Sequence, residues 1–431
     1  MRLRSAIVAA AAAVLAVSIF FALSPKKKRP VEPQSMDLKR RFNELRAVPY
    51  TSVTEEEVTG ERMGITKYDR GEAYHGYNIY CSRVSPEALL MDMEGKIVHR
   101  WTYPEPRKVL SVWDYGVMLP DGDALVIRAY GDLKKLDWQS DLIWQTNIPA
   151  NHDVAVAPDG TLYVIVTELK SYRELLVRFP VIVHLGSDGE GMDKWSAYDH
   201  LEDIKQTFDQ RSFLDTVLDS LLARGEDPRA AQQVPGRVKQ QTIEGRIVLD
   251  MLHLNSVSII PDTPLGRVDP RFAAGNLLIC FRNVNQIAIL EKNTKRILWV
   301  WGEGVLEWPH HPTMLANGNI LIFDNGPWRK YSRVVEVNPV SGRIEWEYVG
   351  NPRESFYSFE KGSAQRLPNG NTLICESDRG RAFEVTREGK IVWEWLNPMT
   401  KKDHRVQVYR MMRLPPEMVE GLLSSKRGTS G

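Results

Sequence analysis

A short unit recurs along the chain: a tight turn ending in Gly, followed at once by an aliphatic strand. It reads LPDGDALVI from Leu119, APDGTLYVI from Ala157, AAGNLLIC from Ala273, LANGNILIF from Leu315 and LPNGNTLIC from Leu367. GYNIYCS from Gly76 is a first copy that lacks the preceding turn signature. A second element accompanies several copies, two strands joined by a turn, the second ending in an aromatic: MEGKIVHRW to Trp101, KNTKRILWVW to Trp301, VSGRIEWEY to Tyr348 and REGKIVWEW to Trp395. Asn-Gly and Asp-Gly suit hairpins whose turn twist matches that of the flanking strands. Units of several short strands, repeating at roughly 40 to 55 residues, have the spacing of propeller blades.

Six units fit between Gly76 and Pro398 once a long insertion, about 197–248, is set aside. That insertion carries a helical pattern in FLDTVLDSLLARG, where Phe213, Val217, Leu218, Leu221 and Leu222 share a face and Gly225 stops it. The run Val406–Pro415 is a candidate strand for closing the ring against the first blade, and closure protects the edges that an open stack would expose. The expected fold is all-β, a six-bladed β-propeller over residues 71–415, with an open solenoid or a sandwich pair as the competing architectures. Residues 416–431 form a tail and 31–70 a stalk.

Residues 1–30 read as a membrane anchor with a basic flank. Ala6–Leu23 is almost uninterruptedly apolar and long enough to cross a bilayer. Pro25 follows Ala22-Leu23-Ser24, which disfavours a cleavable signal peptide and favours an uncleaved helix. Lys26 to Arg29 outnumber Arg2 and Arg4, and would by themselves hold the following chain in the cytoplasm. With 56 basic and 55 acidic residues the net charge is +1, so no overall field draws nucleic acid. Cys81, Cys280 and Cys375 lie far apart without CxxC spacing and read as buried free thiols.

Nine histidines are present, and some fall in phase with the repeat. His152 in ANHDVAVAPDG, His253 in MLHLNSVSIIPD, and His310 with His311 in PHHPTMLANG each stand just upstream of a strand that runs into a repeat turn. Equivalent positions in successive blades face the same part of a ring, so these side chains converge on a channel although distant in sequence. His75, His99, His184, His200 and His404 are out of phase and read as surface or structural. Three imidazoles could hold zinc. No HxH or HExxH spacing supports this, Asp153 is the only carboxylate adjacent to the set, and no metal or cofactor is expected. Arg282, in CFRNVNQIAIL of the blade that carries His253, favours a bound oxyanion instead. Phe281, Trp308, Phe323, Trp328 and Phe356 are candidates for an aromatic wall, although most propeller aromatics pack between blades.

NHDVAVAPDG, HLNS, FRNVNQ, and HHPT followed by NILIFDNG make the stretch from about Gly76 to Pro415 resemble the bacterial arylsulfate sulfotransferases that do not depend on a nucleotide sulfate donor (PAPS). The resemblance implies a six-bladed propeller with a histidine-lined central site. It implies ping-pong transfer of a sulfuryl group from a phenolic sulfate ester to a phenolic acceptor through a sulfurylated histidine. Carried over residue by residue, it makes His311 the nucleophile and gives His310 no catalytic part. His152, His253 with Asn255, and Arg282 hold the sulfuryl oxygens, with His253 preferred as proton donor to the departing phenoxide. Asn151 and Trp308 are the further substrate-binding candidates.

The chemistry is coherent without the resemblance. A sulfate ester spreads one negative charge over three oxygens, so a neutral nucleophile in a cationic cage suits it, and imidazole, with a reference pKa of about 6.5, is neutral at pH 7. Two displacements at one histidine remove the need to bind donor and acceptor together. The implied partners are an aryl sulfate donor, a phenolic acceptor and a membrane, with homodimer formation left open. The family reading also favours an extracytoplasmic, periplasmic propeller, against the basic flank. The chain is shorter than well-known members, lacks an evident N-terminal sandwich domain and carries the 197–248 insertion, departures that bear on acceptor choice. The alternative is a membrane-anchored, non-catalytic propeller used as a binding platform. What separates the two is whether one channel gathers His152, His253, Arg282 and His311.

Overall fold

The computed structural model describes residues 53–57, 63–105, 112–128, 130–172, 175–207, 239–243 and 246–427. Six sheets, antiparallel but for one pair in blade 3, account for the repeat. Blades 2 to 5 start with the first strands Tyr115–Met118, Val154–Val156, Leu254–Ile259 and Pro309–Met314, and each adds three more strands in sequence order. In blade 6, Ser363–Arg366, Thr372–Glu376, Arg381–Val385 and Ile391–Leu396 are joined on the outside by Gly64–Tyr68. Blade 1 takes its first strand, Met411–Leu414, from the far end of the chain and pairs it with Tyr77–Cys81. The protein is therefore an all-β, six-bladed propeller closed by hydrogen bonds between its two ends.

Six hydrophobic clusters lie at the six seams between neighbouring blades. A strand that sits between two seams must be apolar on both faces, which is why the repeat strands read as continuous aliphatic runs rather than alternating ones. In Leu277–Phe281, for example, Leu277, Ile279 and Phe281 enter the seam with blade 3 while Leu278 and Cys280 enter the seam with blade 5. Ile320–Asp324 divides in the same way, with Ile320 and Ile322 facing blade 4 and Leu321 and Phe323 facing blade 6. Truncating one such side chain, as in Phe323→Ala, costs roughly 3–5 kcal/mol. Cys81, Cys280 and Cys375 are free and buried within these seams. Fourth strands such as Ile344–Val349 are partly exposed, consistent with their alternating composition.

The insertion leaves blade 3 through the helix Leu201–Thr207 and returns as the hairpin Lys239–Ile243 and Arg246–Asp250. The second hairpin strand pairs in parallel with Leu175–Leu185, Leu176 opposite Val248, and so delivers residue 250 to the head of blade 4. The helical pattern of Phe213–Leu222 and the apolar run Ala6–Leu23 lie outside the described residues. Among the described residues no helix is long and apolar enough to cross a membrane. The helix Pro416–Arg427 packs Val419 into the seam between blades 1 and 2.

Candidate functional site

One cavity, with an empty volume of about 510 Å³ including the space open to solvent, is lined by all six blades. Each blade contributes a residue at or just before its first strand: Tyr409, Asp114, His152, His253, His310 and Lys361 for blades 1 to 6. Arg83, Tyr130, Asn151, Arg282 and Glu360 complete the wall. His152 and His253 sit at φ of 59° and 51°, left-handed backbone that histidine tolerates better than most side chains and that turns both rings toward each other. Their centroids are 4.8 Å apart and nearly edge to face.

The histidine pair of blade 5 divides in the reverse of the expected way. His310 lines the cavity and His311 does not. A bulge breaks the pairing register between His310 and Thr313, and His311 itself has a φ of 47°. His311 turns toward blade 6, where its Nδ1 lies 3.1 Å from the carbonyl of Ala364. The two rings do diverge, as alternation requires, but it is His310 that reaches the site.

The tautomer of His310 follows from its neighbours. The Asn325 side-chain nitrogen donates to the carbonyls of Ser358 and Lys361, at 2.7 and 2.9 Å, which fixes its oxygen as the acceptor facing His310. His310 Nδ1 lies 2.7 Å from that oxygen and 3.1 Å from the carbonyl of Trp308, both acceptors only. Nδ1 therefore carries the proton, and Nε2 keeps its lone pair and hydrogen-bonds no described residue. Burial, followed by the charge of Arg282, holds the His310 pKa well below its ordinary value, so the ring is neutral. The FDNG motif supplies the support. Phe323 packs in the seam, and Asp324 accepts from Arg333 at 2.7 Å, Arg329 at 3.0 Å and the Glu307 N–H at 2.7 Å. Asn325 orients the histidine. Gly326 turns the chain at a φ of 71°, where a Cβ would lie 2.1 Å from the Tyr331 carbonyl oxygen.

Arg282 is 2% exposed, donates through Nε to Asn283 at 3.0 Å and rests its guanidinium 4.6 Å from the centroid of the Trp308 ring. Its Nη2 is buried without an acceptor. His253 Nδ1 is 2.5 Å from Asp250 Oδ2. Burial acts to raise the Asp250 carboxyl, but His253, Arg178 and Arg282 outweigh it and hold the pKa well below the usual carboxylate range. An ionised carboxylate at that distance favours the protonated imidazole of His253. Burial, then the charges of His253 and Arg282, pushes His152 well below its ordinary pKa, and its Nδ1 is 3.2 Å from the Tyr409 hydroxyl. The residues next to this last pair, Asp153 and Arg410, form a buried two-point ion pair at 2.8 and 3.2 Å, which ties blade 3 to blade 1. Burial opposes the charge on Arg410, but Asp153 and two tyrosines keep it protonated far above its ordinary pKa.

The other site candidates separate. Asn151 lines the cavity with its side-chain oxygen unpartnered and its nitrogen bonded to Thr167. Asn255 does not line it; its amide nitrogen donates 2.9 Å to the Pro309 carbonyl and pins the His310 strand. Trp308 lies behind Arg282 rather than on the wall. Phe281, Phe323 and Phe356 are packed in the seams, and Trp328 is an exposed neighbour of Trp308, so the rings on the wall are Tyr130 and Tyr409. Out-of-phase histidines are built into the outer parts of the blades, with His99 stacked on Trp138 at 3.6 Å and His184 on Tyr163 at 4.4 Å. Among the described residues no three His, Cys, Asp or Glu side chains are grouped to hold a metal ion.

Sequence reasoning missed Asp250, Arg83, Asp114, Lys361 and Tyr409. Asp114 was open to detection, because it stands eight residues before Gly122, just as His152 stands before Gly160 and His310 before Gly318. By the same count His310, rather than His311, holds the matching place in blade 5.

A closed six-bladed propeller with a channel mouth of neutral imidazole and unpaired guanidinium nitrogen defines a class of protein suited to small oxyanionic ligands. The family model for Arylsulfotransferase (ASST) matches residues 118–398. The chain belongs to the arylsulfotransferase family, and membership implies an aryl sulfate donor and a phenolic acceptor. No curated protein matches the chain. Among solved structures, a protein of unknown function from Bacteroides caccae is 14% identical over 78% of this chain and 98% of its own, with a TM-score of 0.47. A streptogramin B lyase is 10% identical over 84% and 96%, at 0.42. A virginiamycin B lyase from Staphylococcus aureus is 11% identical over 81% and 89%, also at 0.42.

Proposed function

We propose that the protein is a PAPS-independent arylsulfate sulfotransferase working by a ping-pong mechanism, with His310 as the nucleophile. What carries this reading is the locked tautomer of His310, which leaves a neutral Nε2 lone pair on the wall that also holds Arg282. Nε2 attacks the sulfur of the donor, the bond from sulfur to the aryl oxygen breaks, and the electron pair leaves with phenoxide. The positive charge created on the ring is shared with Nδ1–H, which the Asn325 oxygen and the Trp308 carbonyl accept. Arg282 pairs with the charge on the sulfuryl oxygens, as cationic clamps do in phosphoryl transfer, and the neutral ring of His152 adds a hydrogen-bond donor.

His253, charged beside Asp250, donates the proton that phenoxide needs, because a phenol has a pKa near 10. In the second half-reaction the acceptor phenol returns that proton to His253, its oxygen attacks sulfur, and the N–S bond breaks to restore His310. The same reading places the propeller on the export side of a membrane, held by residues 6–23, and a reporter fused after Pro33 tests that placement.

The test is incubation with a chromogenic aryl sulfate, followed by intact mass measurement and phenol-dependent turnover. One sulfuryl group should appear on the wild type and on His311→Asn but not on His310→Asn. Phenol release with no adduct on any variant, or an adduct lost only in His311→Asn, overturns the assignment.

A further inference from the structure

Arg83 follows the second strand of blade 1, Tyr77–Cys81, much as Arg282 follows the second strand of blade 4, Leu277–Phe281. Blades 1 and 4 stand opposite each other in a ring of six, so the two guanidiniums reach one cavity from opposite sides. Arg83 is 5% exposed, and its backbone is held at a φ of 57°. Its Nη2 donates to Asp114 Oδ1 at 3.1 Å, while Nε and Nη1 are buried with no acceptor. Leaving donors of a buried cation unmet is costly, and Asp114 answers only part of the guanidinium. The wall carries three fixed cations, Arg83, Arg282 and Lys361, against the two carboxylates Asp114 and Glu360.

The sulfuryl chemistry uses Arg282 and has no use for Arg83. We propose that Arg83 is a second anion subsite, which takes a carboxylate carried on the aromatic ring of the donor or acceptor. The substrates are then carboxylate-bearing phenols and their sulfate esters. This assignment rests on the sulfotransferase reading above and names its substrate class. A carboxylate is preferred to a dianionic phosphate because Asp114 already offsets the Arg83 charge, so the ligand that brings the smaller added negative charge fits the unmet donors at less cost. Donor and acceptor rings occupy the same place in turn, so both half-reactions carry the preference.

The experiment compares 4-carboxyphenyl sulfate with the sulfate of methyl 4-hydroxybenzoate, a neutral ring of similar shape, on wild type, Arg83→Gln and Asp114→Asn. Binding of 4-hydroxybenzoate is measured by calorimetry in parallel, and thermal melting checks folding. Arg83→Gln should lower kcat/KM for the carboxylate substrate by roughly 10- to 100-fold, the range of a hydrogen-bonded charge, and leave the ester within about 3-fold. Asp114→Asn should act in the opposite direction, tightening 4-hydroxybenzoate.

Equal losses on both substrates in folded Arg83→Gln, or weaker binding in Asp114→Asn, overturn the subsite while the sulfotransferase reading stands. Should Arg83→Gln fail to fold, the sign of the Asp114→Asn effect decides. Should neither sulfate be turned over by wild type, the enzymatic reading fails, and calorimetry still decides the subsite: 4-hydroxybenzoate bound by wild type and lost in Arg83→Gln supports it, and no binding overturns it.

Discussion

Two arcs of the cavity wall differ in kind although the same backbone positions build both. Blades 3 to 5 present His152, His253 and His310 with Arg282, while blades 6, 1 and 2 present Lys361, Tyr409 and Asp114 with Arg83. On the first arc His310 and His253 each have Nδ1 against a defined partner, Asn325 or Asp250. On the second arc the charges are fixed and only partly paired. The propeller repeat supplies six equivalent places at the heads of six strands. What the places do is set by one side chain each and by the group behind it.

The largest expected effect tests that division at its sharpest point. His310→Asn should reduce turnover by roughly 10⁴-fold or more, whereas His311→Asn, one residue away, should cost less than about 10-fold in kcat. Steady-state rates with an aryl sulfate check both. A large loss in His311→Asn with normal folding would erase the distinction between the two rings. Next come the groups behind the ring. Asn325→Leu removes the acceptor that fixes the tautomer and should lower kcat by about 10²-fold with little change in KM, since binding of the sulfate does not pass through Asn325. Arg282→Lys keeps the charge but loses the planar donor set over Trp308, with a comparable loss in kcat/KM.

Between the arcs runs the Asp153–Arg410 ion pair. Removing one partner of a buried pair leaves the other charge unmatched, so Arg410→Met should cost roughly 3–5 kcal/mol by denaturant unfolding. The pair also places Tyr409 against His152. A smaller loss, with catalysis intact, would mean that water replaces the pair and that the arcs are held together by the seams alone.

The repeat turns and the aliphatic runs after them made the six blades readable, because a strand between two seams must be apolar on both sides. The phase of His152 and His253 within that repeat pointed to the channel. His310 against His311 was misjudged because strand alternation gives opposite faces without saying which face, and the bulge at His310–Thr313 has no mark in composition. Counting eight back from the turn glycine picks out His310, as it does His152 and Asp114. Asp250 was hidden for another reason: it arrives on the return strand of an insertion, outside the repeat. Arg83 follows a second strand in a copy without a turn signature, and only ring closure brings it opposite Arg282.

The smallest effect separates the arcs by pH. His152, His310 and His311 all have pKa values depressed first by burial, so the folded state resists protonation of rings that the unfolded chain protonates near pH 6.5. Their stabilisation is complete above that value and is lost as the pH falls below it, at up to about 1.4 kcal/mol per pH unit for each ring. Stability should therefore decline between pH 7 and 5, and His311→Asn should lessen the slope by the share of one ring. Turnover should not follow the same curve. Neutral His310 persists below pH 6.5 in the folded protein, so kcat should hold through a range in which the melting temperature is already falling. A kcat that drops in step with a normal imidazole near pH 6.5 would show that the His310 ring is open to water, and that the first arc is no more enclosed than the second.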